Sequence, residues 1–380
     1  MSLSFKGLRG VYLTTFFLNF GLGLLGIFIP LYLWQVTGSL SFVFYFFAVY
    51  YLIVALASLG AGWLFKKVIS PDFAYFLSVA GRLVYLFFLV NAPFHRYYLW
   101  LAAFFWGLTI PFCWFPYFLT VVHEKRGRGY FGKEVSLMGI LSQLSAAAAP
   151  VLSGMVIDRW GFNWVYLLAG AFFFVSFLPL YFDNYHPQRE NFSFRDAFSF
   201  IFLPSEKKLC RAFWGSGLVA AAGIAWPLFI FTFLKTYQVL GWIKGLSLFF
   251  SVLVLWWVGQ RIDKRKGEVI NWGVGMGVVN WLLRILARAP AVFFLFDFWA
   301  NLAGILINTP LQALIYQKAR GRYSPLEVFV AQNFVANLAG FFACLLLALL
   351  TEKSYFFLIA FSLGAIGVFL IKGNDGRQLK

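Results

Sequence analysis

The chain of 380 residues is 62% hydrophobic and 12% charged, with a mean hydropathy of +0.79. That is roughly half the charged fraction of a soluble domain, which excludes a soluble fold and points to a polytopic membrane protein. The net charge of +17 comes from short Lys/Arg clusters between apolar runs, the pattern of topology signals facing anionic headgroups and not of a nucleic-acid interface.

Apolar runs long enough to cross a bilayer as helices fall near 9–34, 41–65, 73–91, 97–122, 135–157, 164–183, 212–236, 243–261, 269–287, 291–316, 326–350 and 355–371. Runs of this length lack the alternation of barrel strands. The expected fold is therefore all-α and integral to the membrane, with twelve transmembrane helices. Lys6 and Arg9 precede the first run and no small-residue cleavage site follows, so it reads as a retained span. Cys113, Cys210 and Cys344 are too scattered for a disulfide framework or metal-ligand spacing.

Assigning loops alternately to the two faces gathers most Lys and Arg on one of them: the N-terminus, 66–72, 123–134, 184–211, 261–268, 317–325 and the tail. The other face keeps Arg96, Arg159, Lys235, Lys244, Arg284, Arg288 and Lys353, and Arg82 alone lies deep. By the positive-inside rule both termini are expected in the cytoplasm, in a prokaryotic inner membrane.

Four units follow: an N-terminal six-helix bundle (1–183), a cytoplasmic linker (184–211), a C-terminal six-helix bundle (212–372) and a tail (373–380). Within the linker, Ser193-Phe-Arg-Asp196 has the form of a capping box, and Phe194, Phe198, Ile201 and Phe202 share one helical face before Pro204. An amphipathic helix on the inner membrane surface is expected. The bundles are repeats: at a constant offset of 197, Pro30-Leu31 meets Pro227-Leu228, Gly62 meets Gly259, Ala92-Pro93 meets Ala289-Pro290 and Gly107 meets Gly304. Pseudo-symmetric six-helix halves are a transporter signature, with the substrate site between them near the midplane.

Gly259-Gln-Arg-Ile-Asp263-Lys264-Arg265 matches the Gly-x-x-x-Asp-basic signature that the major facilitator superfamily carries between spans two and three and again between eight and nine. The first copy keeps Gly62 and places Lys66 where the aspartate would stand. Span five ends in Ala149-Pro150-Val-Leu-Ser153-Gly154, similar to the family's Gly-Pro-x-x-Gly-Gly, and Asp158-Arg-Trp-Gly161 follows. On these residues the chain resembles that family over nearly its whole length. The fifth-span motif is associated with antiporters, drug/proton exporters among them; the arginine that such exporters often carry in span four is absent from 97–122.

The resemblance implies that spans 2 and 11, and 5 and 8, meet across the halves. A cytoplasmic gate would then join Asp263, with Lys264 beside it, to the start of span 5 at Lys133 and Glu134, and Lys66 to Glu327, with Gly62, Gly259, Pro150, Ser153 and Gly154 allowing close packing. It also implies that spans 1, 4, 7 and 10 line the substrate path, making Asn19, Trp106, Thr109, Trp114, Trp226, Asn301 and Asn308 cavity candidates. Pro111, Pro116, Pro227 and Pro310 should kink those helices. Intramembrane charges are expensive and need partners or a wet cavity. Arg82, Arg284 and Asp297 are accordingly the coupling candidates: Arg284 and Asp297 as a pair holding the 288–290 turn, or Asp297 as the proton-carrying carboxylate.

Few carboxylates line the path, which favours hydrophobic or amphipathic compounds over sugars. The sequence shows no metal cluster, nucleophile–base spacing or phosphate loop, and His95, His123 and His186 fall in loops. The expected function is secondary active transport by alternating access, an exporter with proton coupling, acting as a monomer among lipids, without cofactor and without nucleic acid. A lipid flippase or scramblase, a non-transporting scaffold and, further off, an embedded enzyme are the competing classes.

Overall fold

The computed structural model describes residues 9–67, 69–124, 132–181, 191–259, 266–319 and 323–372. Among them the chain is helical: α1 (Arg9–Leu25), α2 (Ile29–Thr37), α3 (Leu40–Lys67), α4 (Pro71–Asn91), α5 (Tyr97–Glu124), α6 (Gly132–Trp160), α7 (Phe162–Tyr181), α8 (Phe194–Phe202), α9 (Lys207–Leu234), α10 (Tyr237–Gly259), α11 (Lys266–Leu283), α12 (Pro290–Lys318), α13 (Pro325–Leu350) and α14 (Phe356–Leu370). α1 and α2 together form the first expected span, α3–α7 the next five and α9–α14 the last six. This is the expected arrangement of twelve membrane helices in two halves, with α8 between them.

Three boundaries differ from expectation. The first span, expected to be continuous over 9–34, breaks at Gly26–Phe28. Pro30 has no N–H to return to the Gly26 carbonyl, so the helix restarts with Pro30 in its first turn. Pro111, Pro116, Pro227 and Pro310 instead lie inside uninterrupted helices. α9 begins at Lys207, inside the expected linker, where Glu206 joins Lys318 of α12 at 2.8 Å. α10 begins at Tyr237 rather than near 243, because Lys235 takes a left-handed conformation (φ 54°) that ends α9 and turns the chain at once.

α8 forms as its sequence predicts, with Ser193 Oγ accepting the Asp196 N–H. Ala197 and Phe200 are buried against the bundle, while Phe194, Phe198 and Phe202 are exposed, Phe202 at 80%. The exposed aromatic face suits an interfacial helix.

The halves meet along two seams, α3 against α13 and α6 against α10. Their closeness depends on missing side chains: a Cβ at Gly241 would stand 2.2 Å from the Pro150 carbonyl oxygen, and one at Gly154 2.5 Å from that of Tyr237. Ser153 Oγ donates to the Leu24 carbonyl at 2.7 Å, tying α6 to α1. The Pro150, Ser153 and Gly154 motif is thus a packing motif.

At the face opposite the termini, Asp158 accepts the backbone N–H groups of Tyr237 (3.4 Å) and Gln238 (2.8 Å), and the hydroxyls of Ser41 and Thr351 are hydrogen-bonded. These contacts join the end of α6 to the start of α10 and the start of α3 to the end of α13, as the repeat requires. At the termini face, Phe118 of α5 stacks on Phe329 of α13 (ring centroids 3.7 Å) and on Tyr316 of α12 (5.0 Å). Among the described residues, both ends of the interface are bridged.

Candidate substrate cavity

Between the bridged ends lies a cavity of about 330 Å³. The first half contributes an apolar wall of Gly26, Ile27, Pro30 and Phe47. The second half supplies Trp226 and Pro227 of α9, Lys244 of α10, Arg284 after α11 and Asp297 of α12. The symmetry-related prolines, Pro30 and Pro227, both line it.

Asp297 sits two turns into α12 and is 2% exposed. A carboxylate at that depth needs donors, and three reach it. Trp226 donates its indole N–H to Oδ1 at 3.0 Å, Ser247 its hydroxyl to Oδ2 at 3.5 Å, and Lys244 Nζ stands 3.5 Å from Oδ2. Asn301, one turn further along α12, donates to Ser247 Oγ at 3.0 Å. The five residues make a polar cluster on facing sides of α9, α10 and α12.

The expected Arg284–Asp297 ion pair does not form. Arg284 opens a short 3-10 turn after α11 and lies with its guanidinium over Trp281 (3.9 Å) and Trp226 (4.4 Å). Lys244, one helix away, takes the carboxylate instead. Its heptad-like position two turns into α10 leaves it on the Asp297 side, and its side chain is 26% exposed at the cavity. Lys244 and Ser247 are the functional candidates that sequence reasoning missed.

The other cavity candidates divide. Trp226 faces the cavity and Asn301 supports it through Ser247. Trp106 packs on Tyr50 (4.4 Å) and Tyr85 (5.1 Å) inside the first half. Thr109 bonds the Trp106 carbonyl and packs against Gly81 of α4. Asn19 donates to the Thr15 carbonyl of its own helix, Trp114 meets Tyr117, and Asn308 is exposed. Arg82 is fully buried beside Phe173 of α7, away from the cavity lining, and no hydrogen-bond partner for its three nitrogens is found among the described residues.

At the termini face Lys66 and Glu327 are not joined directly: linker residues stand between them. Lys66 Nζ donates to the Phe192 carbonyl at 2.8 Å, and Ser193 N–H donates to Glu327 Oε1 at 3.2 Å. Glu327 also closes the capping box of α13 with Ser324. Phe192 is buried against Gly62, so the glycine admits the linker ring as well as Val330. Asp263 and Lys264 lie outside the described residues, as do the side chains of Lys133 and Glu134 in the first turn of α6 and whatever follows Gly259 at the end of α10.

Two repeated six-helix halves, joined along symmetric seams around a charged cavity, define the architecture of a polytopic secondary transporter. The chain belongs to the Major Facilitator Superfamily, whose family model matches residues 11–344. No curated protein matches it in sequence. Among solved structures it is similar to the human organic anion transporter MFSD10 (TETRAN), with a TM-score of 0.72 at 13% identity, covering 98% of this chain and 100% of that one. It is also similar to a POT family transporter in complex with 5-aminolevulinic acid (TM-score 0.72, 11% identity, 96% and 94% covered) and to a peptide transporter POT in complex with sulfate (0.65, 14%, 96% and 94%). At these identities the likeness is one of fold.

Proposed function

We propose that this protein exports small hydrophobic or amphipathic compounds by alternating access, with proton coupling through Asp297, from a prokaryotic cell whose cytoplasm holds both termini. The observation that carries the reading is the Asp297–Lys244 pair in the cavity between the halves. A buried carboxylate on a substrate path is where proton occupancy and cargo occupancy can be linked. Protonating Asp297 cancels its charge and frees Lys244, which changes the field met by whatever shares the cavity. The bridges at the two ends supply the other requirement. Rocking of one half on the other would open the Asp158–Gln238 end while the Phe118–Phe329 end stays shut, and then the reverse. The export direction follows the antiporter-like motif of span five, and the Lys/Arg bias supports the orientation.

Proteoliposomes enclosing a pH-sensitive dye test the reading. A panel of amphipathic compounds should include members that evoke proton flux through the wild type and none through Asp297→Asn. Compound movement indifferent to a pH gradient in both proteins, or movement of labelled phospholipid alone, would overturn it.

A further inference from the structure

The cavity holds a cation that none of its described residues pairs at ion-pair distance. Among the described lining residues the charges are Lys244, Arg284 and Asp297. Asp297 is committed to Trp226, Ser247 and Lys244, and the Lys244–Asp297 pair is neutral. Arg284 is 3% exposed, its Nε is buried without a hydrogen-bond partner, and no carboxylate lies within 4.0 Å of it among the described residues. Among the described residues the Trp281 and Trp226 rings lie against it, and the Asp297 charge acts on it only from beyond ion-pair distance. Such stacking holds a guanidinium by its faces and fixes its plane. It leaves the in-plane N–H fork undischarged, and that fork matches a planar or tetrahedral oxyanion bidentately. A buried arginine held flat, without an anion at hydrogen-bond distance and turned to a cavity, has the form of a recognition element missing its ligand.

We propose that Arg284 is an anion-recognition residue, and that the compounds entering this cavity carry one carboxylate or sulfonate on a compact apolar body. The inference rests on the transport reading of the cavity and narrows it from amphipathic compounds in general to organic monoanions. The body is set by the rest of the wall: Ile27, Pro30, Phe47 and Ile230 offer no charge, and about 330 Å³ is at the small end of ligand pockets. A diacyl lipid could present the same anionic chemistry, so the test includes one.

The experiment measures thermal unfolding of the purified full chain in neutral detergent with four additives: 2-naphthoate, 2-naphthalenesulfonate, 2-naphthylmethylamine and phosphatidylglycerol. The two soluble anions should each raise Tm by several degrees in a saturable way, and the amine should not. Arg284→Gln should remove that response, while Arg288→Gln, at the outer turn, should keep it. Equal stabilisation by the amine, no response to either anion, an unchanged response in Arg284→Gln, or stabilisation by phosphatidylglycerol alone would each overturn the inference. The wild-type comparison of anion with amine decides the matter even if Arg284→Gln does not fold. Parallel flux assays separate the two readings: anion binding without any transport sinks the transporter proposal and leaves the site, whereas proton-linked transport of only neutral or cationic compounds sinks the anion site and leaves the transporter.

Discussion

Asp158, at the last turn of α6, accepts the backbone N–H of Gln238 at 2.8 Å and so caps α10 from the other half of the molecule. Free N–H groups at a helix start favour a carboxylate, and here the favourable term exists only while the halves are closed at this end. Removing such a cap costs about 1 kcal/mol, a roughly fivefold change in a two-state ratio. Asp158→Ala should therefore shift the population toward opening at this face. Spin labels at the exposed positions Trp160 and Val239 should report a longer distance component in the variant; an unchanged distribution would show that the cap does not bias the equilibrium.

The linker latch at the other end should act with opposite sign. Phe192 fills the space over Gly62 while its carbonyl holds Lys66. Phe192→Ala removes a buried ring worth on the order of 3 kcal/mol and should favour opening at the termini face. In a background lacking the native cysteines, a cysteine replacing the buried Val330 should then be alkylated faster, by at least tenfold. Equal rates would mean that Phe192 packs without gating.

The α6–α10 seam should tolerate no added methyl. Gly241→Ala would set a Cβ against the Pro150 carbonyl oxygen, backbone that cannot swing aside, and overpacking of this kind costs about 1–3 kcal/mol. Gly60 in α3 has nothing within 4 Å of the corresponding position. Gly60→Ala should thus leave Tm unchanged or raise it, helped by about 1 kcal/mol of helix propensity. A melting curve for each variant checks the contrast.

Asp297 and Lys244 should be coupled in stability. Either single neutralisation, Asp297→Asn or Lys244→Gln, leaves the other charge behind. Because the lysine side chain is a quarter exposed, the loss should be nearer 2 kcal/mol than the value for a fully buried pair. The double variant should recover part of it, with an interaction energy of about 1 kcal/mol in a double-mutant cycle. Additive losses would show that the pair contributes nothing.

Much of this molecule is legible in the order of its residues. Apolar run lengths locate the helices, Ser193 and Asp196 mark the start of α8, and the repeat of Pro30 in Pro227 marks the two halves. What escaped was set by rotation and by neighbours. Trp106 and Thr109 lie on the expected span, but their faces turn into α3 and α4, and span membership carries no rotational phase. By hydropathy alone the span starts near 243 and Lys244 reads as a helix-end topology charge; with α10 beginning at Tyr237, the lysine is two turns deep. Ser247 gave no signal at all, since one hydroxyl in an apolar run is ordinary. The break at Gly26–Phe28 was hidden by hydropathy, which does not register a missing N–H.

Among the described residues, every ionisable group on the cavity wall belongs to the second half, and the first half offers it only hydrocarbon, glycine and a proline. On the proposed transport reading, cargo would be gripped by one partner and merely shielded by the other. The division of labour is therefore unequal: selectivity can be retuned by edits confined to α9–α12, and a chimera given a foreign first half should keep its cargo preference while changing how fast it cycles.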